Sequence, residues 1–214
     1  MNPTVSASQT LKGRVLTRHV TQQKTGLSLE YVVATASGPV IVEIPEQEHV
    51  CFIRTTDEGL VNQHRELSSI RSKRLPLRNF QLEQVSALYC SDIRQQRHLI
   101  RFAKDQAIEL YESDIKAEHR FLIERFIALD VEFIGHYLQA AQGIEPRFIA
   151  KKARPTELIQ SLKAISLDFE CSFSGELYSV GLYGQTENGV VFEKVIMVGE
   201  PQEVEVNYIQ WVNN

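Results

Sequence analysis

The sequence predicts an α+β protein: a β-rich N-terminal domain with about three helices, followed by a shorter run of antiparallel strands. Three observations carry this expectation. Four β-branched or aromatic stretches succeed one another between Gly13 and Arg54. Apolar residues then recur at helical spacing in later segments, and beyond residue 155 strand-like runs follow with only short connections. With 43% hydrophobic and 23% charged residues over 214 positions, the chain has material for one large domain or two small ones.

The first four strands are read from GRVLTRHV, LSLEYVVAT, PVIVEI and HVCFIR, with Ala36-Ser37-Gly38 as a hairpin turn. From Thr56 to about Lys73, the spacing of Leu60, Val61, His64, Leu67 and Ile70 predicts an amphipathic helix, started by Thr56 or Asp57 and stopped by Pro76. A strand over Val85–Tyr89 leads into a helix opening at Ser91-Asp92, with Ile93, Leu99, Ile100 and Ala103 on its apolar side. The strand Ala107–Tyr111 comes next. Ser113-Asp114 then caps a helix whose apolar face, Phe121, Leu122, Ile123, Phe126 and Ile127, is wide enough to pack between layers. After a strand over Val131–Leu138, glycine, two prolines and four bases in QAAQGIEPRFIAKKARPTE mark a boundary near Lys151 to Pro155, so domains of 1–150 and 151–214 are expected. Strands over Ala164–Phe169, Glu176–Tyr183 and Val190–Val198 follow, close enough in sequence for an antiparallel meander.

Several function classes are excluded by what the sequence lacks. Apolar runs fall far short of the roughly 20 residues that a membrane crossing needs, and MNPTVSASQT has no basic start followed by an apolar stretch, so a cytoplasmic protein is expected. Cys51, Cys90 and Cys171 are widely spaced without a CxxC pair and are read as reduced core or strand residues. The six histidines have no metal-ligand spacing and are read as surface or capping residues; glycine-rich phosphate loops are absent. Net charge is −4, divided unevenly: residues 156–214 hold nine acids against two bases, a net −7, leaving +3 for the preceding part.

Strand residues alternate sides, so in Ile165-Ser166-Leu167-Asp168-Phe169-Glu170 the apolar residues face a core and Asp168 and Glu170 share the opposite face. Carboxylates two strand residues apart, on the order of 7 Å between α-carbons, can converge on a pair of metal ions. Hard oxygen donors suit Mg2+ or Mn2+. Asp130-Val131-Glu132 shows the same spacing but ends a helix, with no apolar strand before it. Arg71, Lys73 and Arg74, with Lys151, Lys152 and Arg154, form two basic clusters that can meet phosphates through sequence-independent contacts or can be ordinary solvated faces. Arg120, Glu124 and Arg125 are read as ion pairs that fix a helix in place.

The stretch Ser166-Leu167-Asp168-Phe169-Glu170-Cys171, followed by Gly175-Glu176-Leu177-Tyr178-Ser179-Val180-Gly181-Leu182, resembles the first exonuclease motif and the next strand of bacterial family-B DNA polymerases of the polymerase II type. Val15-Leu16-Thr17-Arg18-His19, Ala87-Leu88-Tyr89-Cys90 and Phe121-Leu122-Ile123-Glu124-Arg125-Phe126-Ile127 resemble the same family in matching order, so the likeness covers nearly the whole chain. Phe169 stands where the family usually has isoleucine and Cys171 where it has threonine.

The resemblance implies an N-terminal polymerase domain followed by the opening strands of an RNase H-like 3′–5′ exonuclease domain, with Asp168 and Glu170 as ligands of the proofreading metals. It implies a DNA-directed DNA polymerase of repair or replication restart, DNA template and primer as partners, a sliding clamp in the intact protein, and a nucleoid-associated cytoplasmic location. The family's later exonuclease motifs and palm aspartates have no counterpart before Asn214, so the chain alone is expected to be inactive. Uncovered strand edges in the acidic segment would allow self-association. The alternative is a non-catalytic single-stranded nucleic-acid-binding module built on the β-rich first half.

Overall fold

The structure, a computed structural model, describes residues 8–138, 145–158, 162, 164–185, 189, 191–199 and 209–212. The chain divides into two compact units, Met1–Leu158 and Ile159–Asn214.

In the first unit, β1 (Gln9–Gln23), β2 (Gly26–Thr35), β3 (Gly38–Gln47), β8 (Asp130–Tyr137) and β9 (Arg147–Pro155) close into a barrel of order β1-β2-β3-β9-β8. The alternation read from LSLEYVVAT and PVIVEI is the cause: Leu29, Tyr31 and Val33, with Val40, Val42 and Ile44, point inward and are buried. The β2–β3 turn is tight. Thr35 pairs with Gly38, whose φ of +117° suits glycine, and the Thr35 hydroxyl donates to the Gly38 carbonyl. Residues 151–155, where composition alone suggested a boundary, complete β9 and pair with β8.

A second sheet, of order β5-β6-β4-β7, uses β4 (His49–Arg54), β5 (Arg71–Arg78), β6 (Gln84–Cys90) and β7 (Leu110–Tyr111). Its own core gathers Cys51, Ile53, Val61, Leu67, Leu88 and Leu99 beneath helices α1 (Glu58–Gln63) and α2 (Ile93–Asp105). Helix α2 starts where its cap was read: Asp92 accepts hydrogen bonds from the backbone of Arg94 and Gln95. Leu99 and Ala103 are buried, whereas Ile93 and Ile100 are exposed.

The helix expected over Thr56–Lys73 is not formed as one element. A 3-10 turn over Thr55–Asp57, α1, and a second 3-10 turn over Arg65–Leu67 bury Val61, Leu67 and Ile70 in succession. His64, extended at φ −79° and ψ 121°, separates the last two. Residues from Arg71 onward are strand, so Pro76 lies inside β5 rather than ending a helix. It is tolerated because β5 is an edge strand, and the register is irregular between Arg74 and Arg78.

Helix α3 (Ala117–Ile123) begins after Lys116 without a side-chain cap, not at Ser113-Asp114. Phe121, Leu122 and Ile127 enter the barrel core, while Ile123 and Phe126 face solvent, so its apolar face is narrower than expected. The Tyr31 hydroxyl ties barrel to helix by donating to the Glu118 carbonyl at 2.7 Å. Arg120 reaches Glu112 and Glu124 and lies over Phe52, and Arg125 lies over Phe121, which is the docking role read for these charges.

In the second unit, β10 (Ala164–Cys171), β11 (Leu177–Gln185) and β12 (Val191–Val198) form the expected antiparallel meander. A further strand, β13 (Ile209–Val212), runs parallel to β12. Ile165, Leu167 and Phe169 were expected on a buried face but are 62%, 56% and 59% exposed. Among the described residues of this unit there is no helix to cover that side. No helix among the described residues is long and apolar enough to cross a membrane.

Candidate nucleic-acid interface and acidic strand

The acidic pair is built by β10, the edge strand of its sheet. Asp168 pairs with Gly181 and Glu170 with Ser179 in a regular antiparallel register, so the two side chains leave the same face; the irregularity lies beyond, between Glu170 and Cys171. Gly181 keeps that face open. A β-carbon there would lie 3.6 Å from Asp168 Cβ, and the absence of any side chain helps form a shallow cleft of about 290 Å³ that also includes Ser166, Tyr183 and Glu193. Both carboxylates are exposed, and among the described residues no group of three or more His, Cys, Asp or Glu is close enough to hold a metal ion. Two hard-oxygen donors on one face fit part of a Mg2+ or Mn2+ site and leave the remaining ligands to be supplied.

The six basic residues fall on two different sheets. Arg71, Lys73 and Arg74 lie on β5. Arg71 pairs with Glu48 and lies 3.7 Å above the Tyr89 ring, while Arg74 reaches Glu58 at 3.4 Å. Glu58 also accepts from Ser72 and Ser86, and its carboxyl is held below the usual range, chiefly by the Ser72 hydrogen bond. Lys73 makes no ion pair among the described residues, which leaves its ammonium available.

On β9 the spacing is set by a bulge. Ile134 pairs with Lys152 but Gly135 pairs with Ala150, so Lys151 is the extra residue. Phe148 and Ala150 point into the barrel before the bulge and Ala153 packs against its core after it. Lys151 and Lys152 are therefore both turned outward, although adjacent strand residues ordinarily alternate. Arg154 is committed elsewhere: with Lys12 it holds Glu132, and the Arg154 hydrogen bond is the main cause of that carboxyl's lowered pKa.

Sequence reasoning missed His49. Both its ring nitrogens are buried without a hydrogen-bond partner, and it lines a cleft of about 500 Å³ with Arg18, Lys116 and Glu118. Burial lowers its pKa, the nearby carboxylates opposing in part. His64 is likewise no surface residue in the sense expected, its ring meeting Phe102 at 4.6 Å. Nothing in the local sequence distinguishes these two from the other four histidines.

In fold the chain is similar to the family B DNA polymerase of the hyperthermophilic archaeon Pyrobaculum calidifontis, with a TM-score of 0.59, at 13% identity, over 86% of this chain and 27% of that one. No family model matches the sequence. In sequence the chain is similar to DNA polymerase II of Escherichia coli (strain K12), with 32% identity over 174 residues, 80% of this chain. It spans 22% of that relative's length. The likeness read from the ordered motifs thus holds for most of the chain.

Proposed function

We propose that the chain serves a DNA-directed DNA polymerase of the polymerase II type, acting in repair or replication restart with a 3′–5′ proofreading exonuclease. In this reading the first unit contacts the template strand and β10 supplies part of the exonuclease metal site. The observation that carries it is the coincidence of the DNA polymerase II likeness with Asp168 and Glu170 on one open face of β10. Those two carboxylates would hold Mg2+ or Mn2+, which in phosphodiester hydrolysis stabilises charge on the attacking and leaving oxygens. The chain's own contribution is to fix two oxygen donors at strand spacing. Lys151, Lys152 and Lys73 provide backbone-type phosphate contacts. A sliding clamp as partner and a nucleoid location belong to the same reading.

Two measurements on the 214-residue chain test it. Binding of a labelled single-stranded oligonucleotide should weaken as salt rises from about 50 to about 200 mM, because each neutralised phosphate releases counterions. Replacing Lys151 and Lys152 by glutamate should weaken it further. Mn2+ binding, read by paramagnetic broadening of the β10 resonances, should disappear in the Asp168→Asn, Glu170→Gln double variant. Absence of DNA binding, or broadening that ignores the double substitution, would overturn the corresponding half of the proposal.

A non-catalytic single-stranded nucleic-acid-binding module is the second reading. The closed five-stranded barrel favours it, since small closed barrels also frame such modules. It requires DNA affinity without any metal dependence on Asp168 or Glu170.

A further inference from the structure

The β5–β6 hairpin ends in a tip, residues 79–83, that is rigid and yet presents apolar groups to water. Asn79 organises it. Its side-chain oxygen accepts from the backbone of Gln81 and Glu83, its backbone pairs with Glu83 and Leu82, and its amide nitrogen donates to Tyr111 and Glu83. Arg78 closes the turn by donating to the Leu82 carbonyl. Leu82 is held at φ +64°, a left-handed conformation that side chains other than glycine rarely adopt.

All this order buries nothing at the tip itself. Phe80 is fully exposed and Leu82 is 70% exposed, while Phe80 also borders a cleft of about 550 Å³ formed with Phe52, Leu77, Val85, Leu110 and Tyr111. A phenyl ring fixed in water beside an apolar cleft has the form of a contact surface. The charge around it narrows the partner. Residues 71–78 carry Arg71, Lys73, Arg74 and Arg78 and no acid; Glu48 and Glu58 engage Arg71 and Arg74 and Glu83 stands in the tip, while Lys73 and Arg78 make no ion pair among the described residues. Protein-binding surfaces are depleted of lysine and of charge at their centre, whereas an aromatic ring interleaved with bases is the arrangement that takes single-stranded nucleic acid.

We infer that the β5–β6 tip is a stacking platform for single-stranded DNA, in which Phe80 takes the face of an unpaired base and Lys73 and Arg78 supply charge for its phosphates. This rests on the DNA-contacting role proposed for the first unit and adds to it a specific aromatic contact. Stacking is tolerant of sequence because every base has a π-face, so the platform would serve a strand of any composition.

The test is anisotropy of a labelled twelve-nucleotide oligo-dT with the full chain, its Phe80→Ala and Phe80→Trp variants, and a Lys151→Ala, Lys152→Ala variant. Loss of one stacked base predicts that Phe80→Ala weakens binding about 5- to 150-fold, with an unchanged salt slope, while Phe80→Trp retains affinity. Circular dichroism should be identical for all variants at Phe80, because that ring supports no packing. Equal affinity of the wild type and Phe80→Ala overturns the inference and leaves the β9 contacts standing, as does equal loss in both Phe80 variants. A Phe80→Ala change in self-association without a change in DNA affinity assigns the tip to protein contact and also overturns it. If the wild-type chain binds no strand, the underlying DNA-contacting role falls first.

Discussion

Gly135→Ala is the perturbation that most directly probes how the barrel aims its basic strand. Gly135 sits in β8 opposite the β9 bulge, and a β-carbon there would lie 1.9 Å from the Ile149 carbonyl oxygen and 2.9 Å from Ala150 Cα. Ordinary contact begins at 3.4 Å, so one backbone must retreat by about 1.5 Å, roughly a third of the spacing between paired strands. No flexible side chain can absorb this, because the groups in the way are main chain on a strand that also pairs with β3. Overpacking of this kind costs about 1–3 kcal/mol, which for a unit of this size lowers the melting temperature by about 2–12 °C. The loss should appear in thermal unfolding followed by circular dichroism. Because the bulge turns Lys151 and Lys152 outward together, affinity for single-stranded DNA should fall too, even at temperatures where the barrel remains folded. Gly59→Ala is the control: it lies in α1 with nothing within 4 Å of the added carbon, and should be neutral or stabilising by up to about 1 kcal/mol. A Gly135→Ala protein that melts within about 1 °C of wild type would refute the close approach and with it the bulge geometry.

Tyr31→Phe should destabilise the first unit by about 0.5–1.5 kcal/mol, since it removes a buried hydrogen bond to the Glu118 carbonyl; an unchanged denaturant midpoint would count against that bond. Acid should unfold the first unit through Asp130, Glu132 and Glu58, whose carboxyls are held below their usual range by Arg14, by Arg154 and Lys12, and by Ser72 with its neighbours. Their contribution is complete above the ordinary carboxylate pKa and is lost as pH falls through the lowered values, so melting temperatures measured from about pH 7 to about pH 3 should drop at the acid end, and less steeply in Arg14→Gln. Thiol labelling should separate the cysteines: Cys171 is exposed and reacts in the native protein, whereas Cys51 and Cys90 are buried with thiols pushed up to about 11 and about 12 and should react only on unfolding.

Local rules made some elements readable before any coordinates and left others hidden. Asp92 was legible as a helix start because a cap needs only the next three residues, and the β2–β3 turn because glycine at position 38 has few other uses there. The segment after Thr56 was misread because Val61, Leu67 and Ile70 have the spacing of one helix, and two short turns broken at His64 bury the same residues. Only the pairing of β5 with β6, across a turn that lies beyond the end of the expected helix, decides between them. Lys151 and Lys152 are adjacent in sequence, so a period of two would separate them; the bulge that unites them is set by Gly135, which gives no signal at Lys151 itself.

The same distinction explains what β10 offers and what it leaves open. Alternation is a property of one strand, so the shared face of Asp168 and Glu170 follows from Ile165, Leu167 and Phe169 without knowledge of anything else in the fold. Whether the apolar side of that strand is covered depends on elements far away in sequence, and within the described residues it is open to solvent. An acidic face with two donors and an apolar face open to solvent among the described residues are two aspects of one sheet. On the proposal that Asp168 and Glu170 hold a divalent ion, anything packed against Leu167 and Phe169 would stiffen β10, hold the carboxylate pair at fixed spacing and so tighten that binding without touching either carboxylate.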